Sequence, residues 1–119
     1  MPNMKGGELI AQYLVQEKVP YVFGICGHGN VGILDAMYDV RDELKLISPR
    51  HEQCAGHMAD GFSRVSGRHG VCIAQNGPGI TNFVTAIAAA YWAHSPVVVI
   101  TPETGSMSQG LGGFQEAQQ

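Results

Sequence analysis

The fold is decided by residues 71–82, whose sequence is VCIAQNGPGITN. The first four of these residues form a short apolar run typical of a buried strand. Two glycines and a proline then break the chain before an alanine-rich stretch with helical character, residues 83–93. A tight turn between a strand and a helix brings bare backbone close to a ligand. We therefore expect residues 75–82 to lie at a binding site.

Helical and strand patterns alternate on both sides of this turn. Helices are predicted at residues 7–18, at 31–38 with Asn30 as the cap, at 51–65 with Gly67 as the end, and at 83–93. Strands are predicted at residues 21–25, 44–47, 70–74 and 96–101. The strands are mostly continuous apolar runs, as in a parallel sheet that is covered on both faces. The sequence therefore predicts a doubly wound α/β fold.

The turns after the predicted strands should all lie at one edge of this sheet. They comprise residues 25–30, 48–52, 75–82 and 101–105. In a doubly wound fold, ligands bind beyond the carboxyl ends of the strands. Residues in these four turns are therefore the candidates for function.

Glu52 is predicted to open the third helix. The positive end of the helix dipole tolerates a carboxylate there, and charge complementarity alone is one explanation. The residues that follow Glu52 are small or apolar, however, so the start of this helix is expected to be buried. Burial favours the protonated form of a carboxyl group, which suits proton transfer. Glu52 is therefore a candidate acid.

Polar side chains surround the glycine-rich turn. The amides of Gln75, Asn76 and Asn82 are suited to orienting a flat heterocyclic ligand. The spacing of the glycines satisfies neither the Rossmann fingerprint nor the P-loop, so a purely structural turn with Pro78 at a helix start is the alternative. His28, between two glycines of an earlier turn, either faces the ligand or is a solvent-exposed turn residue.

Composition excludes several classes of partner. The net charge is −3 and the basic residues are scattered, which argues against nucleic acid and against an anionic membrane surface. No apolar run is long enough to span a membrane, and the N-terminus has no signal-peptide core. We expect a cytoplasmic protein with a small molecule or a protein as its partner.

The cysteines indicate neither a disulfide framework nor a metal site. Cys26, Cys54 and Cys72 are odd in number and have no CxxC spacing. A cluster of His51, Cys54 and His57 is disfavoured, because three-residue steps on a helix rotate its first and third members about 120° apart. Cys54 is instead expected to be a small core residue, and no metal ligand is assigned.

Several motifs, in order along the whole chain, resemble the N-terminal pyrimidine-binding domain of thiamine diphosphate-dependent enzymes. They are Phe23-Gly24, His51-Glu52 with residues 58–67, residues 76–82, and residues 112–116. Within this superfamily the sequence is most similar to the acetolactate synthase branch, and there to the sulfoacetaldehyde acetyltransferases. The resemblance implies a flavodoxin-like sheet and assigns residues 1–119 to part of such a domain, incomplete at its C-terminus.

The resemblance also implies roles for individual residues. Glu52 would hydrogen-bond a ring nitrogen of the cofactor's aminopyrimidine and favour the imino tautomer, whose nitrogen takes the proton from C2 of the thiazolium. His28 and Gln115 would be further catalytic residues. The pyrimidine would be bound by Glu52, Asn76, Gly77, Pro78, Gly79 and Asn82.

The implied function is that of an acyl-transferring lyase or transferase acting next to a carbonyl group of a small substrate. The alternatives are an acetolactate synthase-like 2-oxoacid enzyme and a non-catalytic association domain. Cys26 replaces the usual proline of the first turn, and His28 is not the acidic residue of pyruvate decarboxylases, which argues against simple decarboxylation. A diphosphate-binding domain or second subunit would hold the diphosphate through Mg²⁺ in a homo-oligomer, so the isolated 119 residues are expected to be inactive.

Overall fold

The computed structural model describes residues 3–116 of the chain. Its helices are α1 (Gly6–Gln16), α2 (Val31–Asp39), α3 (Glu52–Ser66), α4 (Pro78–Thr81) and α5 (Val84–Trp92), with a 3₁₀ turn at His28–Asn30. Its strands are β1 (Tyr21–Gly24), β2 (Lys45–Ile47), β3 (Gly70–Ile73) and β4 (Val97–Ile100). All predicted elements are present, and the single turn α4 precedes the helix predicted after the glycine-rich turn.

The four strands form one parallel sheet in the order β2-β1-β3-β4. Val22 of β1 lies opposite Leu46 on one side and Val71 on the other, and Val71 lies opposite Val98 of β4. This is the flavodoxin-like order, in which β2 is added on one side of β1 and the later strands on the other, so the strand order reverses between β1 and β3. The predicted doubly wound α/β fold is confirmed.

Each face of the sheet has its own apolar core, because side chains alternate along a strand. Val22, Val71 and Ile73 point to the face covered by α1 and α2, where they pack with Leu14 and Met37. The opposite face is covered by α3 and α5, and its buried residues are Phe23, Ala55, Ala59, Cys72, Ala74 and Phe83. The inner strands β1 and β3 are therefore largely buried on both sides, as their apolar sequences predicted. All three residues of β2, at the edge of the sheet, are exposed.

Two side chains differ from the expectations. Cys54 is exposed, so its assignment to the core is wrong. Helix α3 turns Ala55 and Ala59 toward the sheet, and the step of about 100° per residue takes Cys54 out of that face.

Asn30 makes no side-chain cap to α2. Its buried side chain points back to the preceding turn instead. Oδ1 accepts a hydrogen bond from the N–H of Gly27 at 2.8 Å, and Nδ2 donates to the carbonyl oxygen of Ile25 at 2.9 Å.

The helix ends follow the sequence more closely. Gly67 ends α3 in the left-handed conformation, with φ of 68°, which glycine adopts without the steric penalty of a side chain. Among the helices of residues 3–116, none has both the length and the apolar character needed to cross a bilayer.

Candidate functional site

The candidate site lies beyond the carboxyl ends of β1 and β3, where the strand order reverses. The turns after these neighbouring strands meet there, and the N–H of Gly29 donates to Oε1 of Gln75 at 2.7 Å. A crevice opens at such a switch point because the connections leave the two strands toward opposite faces of the sheet. The prediction that turns 25–30 and 75–82 share one edge is therefore confirmed.

A network of amides joins these turns to the C-terminal part of the described chain. We call Gln75, Asn76 and Gln115 the amide cluster. Nε2 of Gln75 donates to Oε1 of Gln115 at 2.7 Å and also to Oδ1 of Asn76. Nδ2 of Asn76 donates to the main-chain oxygen of Gln115 at 3.2 Å. Gln75 and Asn76 are thus bound to the protein itself, whereas the sequence suggested that their amides orient a ligand.

The glycines of the turn are required by the protein's own packing. Gly77 has a φ of 65°, and a Cβ atom there would overlap the main-chain oxygen of Gln115. A Cβ on Gly79 would lie 3.1 Å from Cβ of Gln75. Pro78 occupies the first turn of α4, where its missing N–H has no cost. The protein's own packing thus excludes a side chain at Gly77 and leaves little room for one at Gly79, while contact of these glycines with a ligand stays a prediction.

Glu52 and Asn82 form the second part of the site. Nδ2 of Asn82 donates to Oε2 of Glu52 at 3.0 Å, which joins the start of α3 to the end of α4. Glu52 is half-buried, while Cys54 and Met58 beyond it are exposed. The start of α3 is therefore more open than its composition predicted. Within residues 3–116, Oε1 of Glu52 has no hydrogen-bond partner, which leaves one carboxyl oxygen open to a ligand.

His28 is exposed and lines a cavity of about 250 Å³. The other lining residues are Gly29, Asn76, Glu103, Thr104, Gly105, Ser108 and Phe114. Gly29 and Asn76 connect this cavity to the amide cluster. The structure therefore brings His28 to the same edge as Gln115, without a hydrogen bond between the two within the described residues.

The segment from Gly105 to Glu116 folds back over the site in a series of turns. The carboxylate of Glu116 accepts hydrogen bonds from the N–H groups of Gly110 and Gly113, the second at 2.9 Å. These backbone hydrogen bonds hold the pKa of Glu116 below its usual value. The sequence pattern predicts no regular structure for this segment and does not indicate the hydrogen bonds by which Gln75 and Glu116 hold it. Only the position of Gln75 between a strand and a glycine-rich turn hinted at its role.

Residues 3–116 contain no group of three His, Cys, Asp or Glu side chains arranged to hold a metal ion. Most of the predicted site residues that contact one another fall into two groups. One contains Glu52 with Asn82, and the other contains Asn76 and Gln115 around Gly77. The turn from Gly77 to Asn82 connects the two groups.

Comparison with known proteins gives one family match and many relatives. The family described as "Thiamine pyrophosphate enzyme, N-terminal TPP binding domain" matches residues 4–119. Sulfoacetaldehyde acetyltransferases of Alcaligenes xylosoxydans xylosoxydans and Castellaniella defragrans are 56% and 55% identical over 117 residues, which is 98% of this chain and 19% of each relative. A probable acetolactate synthase large subunit of Methanocaldococcus jannaschii is 46% identical over 113 residues, or 95% of this chain and 19% of that protein. The chain therefore spans about a fifth of the length of these relatives.

Proposed function

Since the chain belongs to the family of thiamine pyrophosphate enzyme N-terminal TPP binding domains, we propose that it binds the aminopyrimidine of thiamine diphosphate in an acyl-transferring enzyme. The observation that carries this proposal is the hydrogen bond from Asn82 to Glu52. This bond holds one oxygen of the Glu52 carboxyl group and leaves the other without a partner among the described residues, at the edge where the carboxyl ends of the strands lie.

The donor set fits an aminopyrimidine, whose ring nitrogens accept hydrogen bonds. Asn82 donates to Oε2 of Glu52, so Oε2 serves as an acceptor and the acidic proton belongs on Oε1. Oε1 is the open oxygen, and from it Glu52 can donate to a ring nitrogen. Glu52 thus holds and moves the proton, and Asn82 orients the carboxyl group. When bound, thiamine diphosphate supplies the carbon nucleophile that attacks a carbonyl carbon.

The groups that hold the diphosphate and the metal ion would come from another part of the enzyme. We propose that a diphosphate-binding domain, on the same polypeptide or on a second subunit, holds the diphosphate through Mg²⁺. The exposed apolar side chains of α5 offer a surface for association with it or with another copy. A small carbonyl substrate would approach from the side of His28 and Gln115.

The substrate we propose first is sulfoacetaldehyde, because two relatives with that name in their description are 56% and 55% identical to this chain. A 2-oxoacid, as in acetolactate synthases, is the alternative, since one such relative is 46% identical. Both substrates present a carbonyl carbon next to the bond that changes, so the role of Glu52 is the same in either case.

The substitution Glu52→Gln in the full-length enzyme tests this function. Glutamine keeps the acceptor for Asn82 but cannot transfer a proton, so exchange of the C2 hydrogen of bound thiamine diphosphate should slow by about 10²-fold or more. Exchange is followed by NMR in deuterated water, with cofactor affinity measured alongside. The matched control is Glu43→Gln, which makes the same charge change at an exposed position. Exchange at the parental rate in Glu52→Gln would remove Glu52 from the mechanism.

A further inference from the structure

We propose that Gln75 is a positioning residue that sets the direction of the Gln115 amide. In this arrangement Gln115 offers its Nε2 amino group, and not its oxygen, as the group available to a substrate. The inference rests on the proposed function, which supplies the carbonyl substrate. It concerns a different set of residues from Glu52 and can therefore fail independently.

The direction of the Gln75 amide follows from a main-chain group. The N–H of Gly29 can only donate, and it lies 2.7 Å from one end of the Gln75 side chain. That end must be the acceptor Oε1, so the other end is Nε2. Gln75 is buried, which leaves it little freedom to turn over. Its two Nε2 hydrogens then point toward Asn76 and Gln115.

A second main-chain group confirms the direction from the other end of the cluster. The carbonyl oxygen of Gln115 can only accept, and the Asn76 side chain lies 3.2 Å from it. The end of Asn76 that faces this oxygen must be Nδ2, so Oδ1 is left to accept from Gln75. Two groups whose roles are fixed by chemistry, one at each end, therefore agree on a single arrangement of three amides.

The orientation of Gln115 is the consequence. Its Oε1 accepts from Nε2 of Gln75 at 2.7 Å, so its own Nε2 points away from Gln75. In the part of the chain that the structure describes, this Nε2 has no hydrogen-bond partner. Gln115 has a positive φ of 60°, and its main-chain oxygen is held by Asn76, so backbone and side chain are both constrained. The cluster thus leaves one amide donor unused.

A donor at this position suits an oxygen that gains negative charge. When a carbonyl carbon is attacked, its oxygen becomes an alkoxide, and a preorganised N–H group stabilises it more than it stabilises the starting carbonyl. An amide oxygen in the same place would repel that charge. The direction of the Gln115 amide therefore matters for the reaction, and Gln75 controls it.

The test uses Gln75→Glu in the full-length enzyme. Glutamate still accepts from Gly29 but cannot donate to Gln115, so the Gln115 amide should turn over and present its oxygen. Loss of one such donor typically lowers the rate by 10²–10³-fold, and we expect kcat/KM for sulfoacetaldehyde, or for pyruvate as the 2-oxoacid alternative, to fall by about 10²-fold. Gln12→Glu, at an exposed position on α1, is the control for charge and should leave kcat/KM unchanged.

A double-mutant cycle separates positioning from structural support. In a Gln115→Ala background there is no amide to turn, so Gln75→Glu should change kcat/KM by less than about threefold, because residues that act through one another are not additive. Equal losses in both backgrounds would overturn the proposal. Gln75→Met, which cannot donate either, repeats the cycle if the glutamate variant does not fold. Exchange of the C2 hydrogen of bound thiamine diphosphate should stay at the parental rate in the Gln75 and Gln115 variants. Failure of the unaltered enzyme to bind thiamine diphosphate would instead refute the proposed function.

Discussion

Gly77 connects the glycine-rich turn to the C-terminal segment of the described chain. Its φ of 65° lies in a region that residues with a side chain rarely adopt, and its α-carbon faces the main-chain oxygen of Gln115. The same oxygen accepts from Asn76. A single residue without a side chain thus allows Gln115 to approach the turn.

Gly77→Ala should therefore destabilise the protein and displace Gln115. The unfavourable backbone conformation alone costs about 1–3 kcal/mol, and the overlap with Gln115 adds to it. We expect a lower midpoint of thermal unfolding together with a lower kcat. Gly32→Ala is the matched control, because a Cβ there meets nothing within 4 Å and alanine favours the α2 helix. Equal unfolding midpoints for the two variants would show that Gly77 is not required by packing.

Cys72 differs chemically from the other two cysteines. Burial raises the pKa of the Cys72 thiol to about 12, and the thiolate is the form that reacts. At pH 8, iodoacetamide should therefore leave Cys72 unmodified in the native protein and should modify Cys72 in protein unfolded by urea. Peptide mass spectrometry measures both, and the urea sample is the internal control. Rapid native modification of Cys72 would place it outside the core.

At the scale of elements, the contact between α3 and α5 sets the position of Glu52. A Cβ on Gly56 would lie only 2.5 Å from Cβ of Ala86 and 3.3 Å from the ring of Phe83. The two helices are close because Gly56 has no side chain. Helix α3 begins at Glu52, and Asn82 lies two residues before α5, so their hydrogen bond depends on this spacing.

Gly56→Val should push the two helices apart. Overpacking of this kind costs about 1–3 kcal/mol, and the same shift should lengthen the Asn82–Glu52 contact. We expect a lower unfolding midpoint and slower C2–H exchange. Gly61→Ala in the same helix has open space around it and should raise stability by about 0.4–1 kcal/mol. If Gly56→Val matched the parent in both measurements, the helix spacing would not control Glu52.

At the scale of the whole molecule, α5 has one face in the core and another in solvent. Ala86 and Ala90 are buried, while Val84, Tyr91 and Trp92 are 62%, 74% and 79% exposed. Tyr91 and Trp92 pack edge to face, with ring centroids 6.0 Å apart. Exposed apolar faces of this kind are common at protein–protein interfaces, and we propose this one as a surface for association.

Tyr91→Ser should therefore weaken self-association of the protein. Sedimentation at micromolar concentration should show the parent as an oligomer and the variant shifted toward smaller species. Tyr38→Ser is the control, since Tyr38 is similarly exposed on α2, across the sheet from α5. A monomeric parent, or equal shifts in both variants, would count against the α5 face as the interface.

The sequence alone determined the elements, their order and the edge at which the site lies. Apolar periodicity and the glycine and proline residues act within a few residues of one another, so the four strands, Gly67 as the end of α3 and Pro78 at the start of α4 could be predicted. The proximity of Glu52 to the turn at 77–82 also followed, because in a parallel sheet strand direction places these turns together.

The tertiary structure decided which side chains meet. Contacts between Gly29 and Gln75, 46 residues apart, and between Gln75 and Gln115, 40 residues apart, leave no local signal in the sequence. The same holds for Asn30, which turns back into the first turn, and for Cys54, whose exposure depends on the rotation of α3 against the sheet. Hydrogen bonding and burial depend on distances set by the whole fold, and local patterns do not contain those distances.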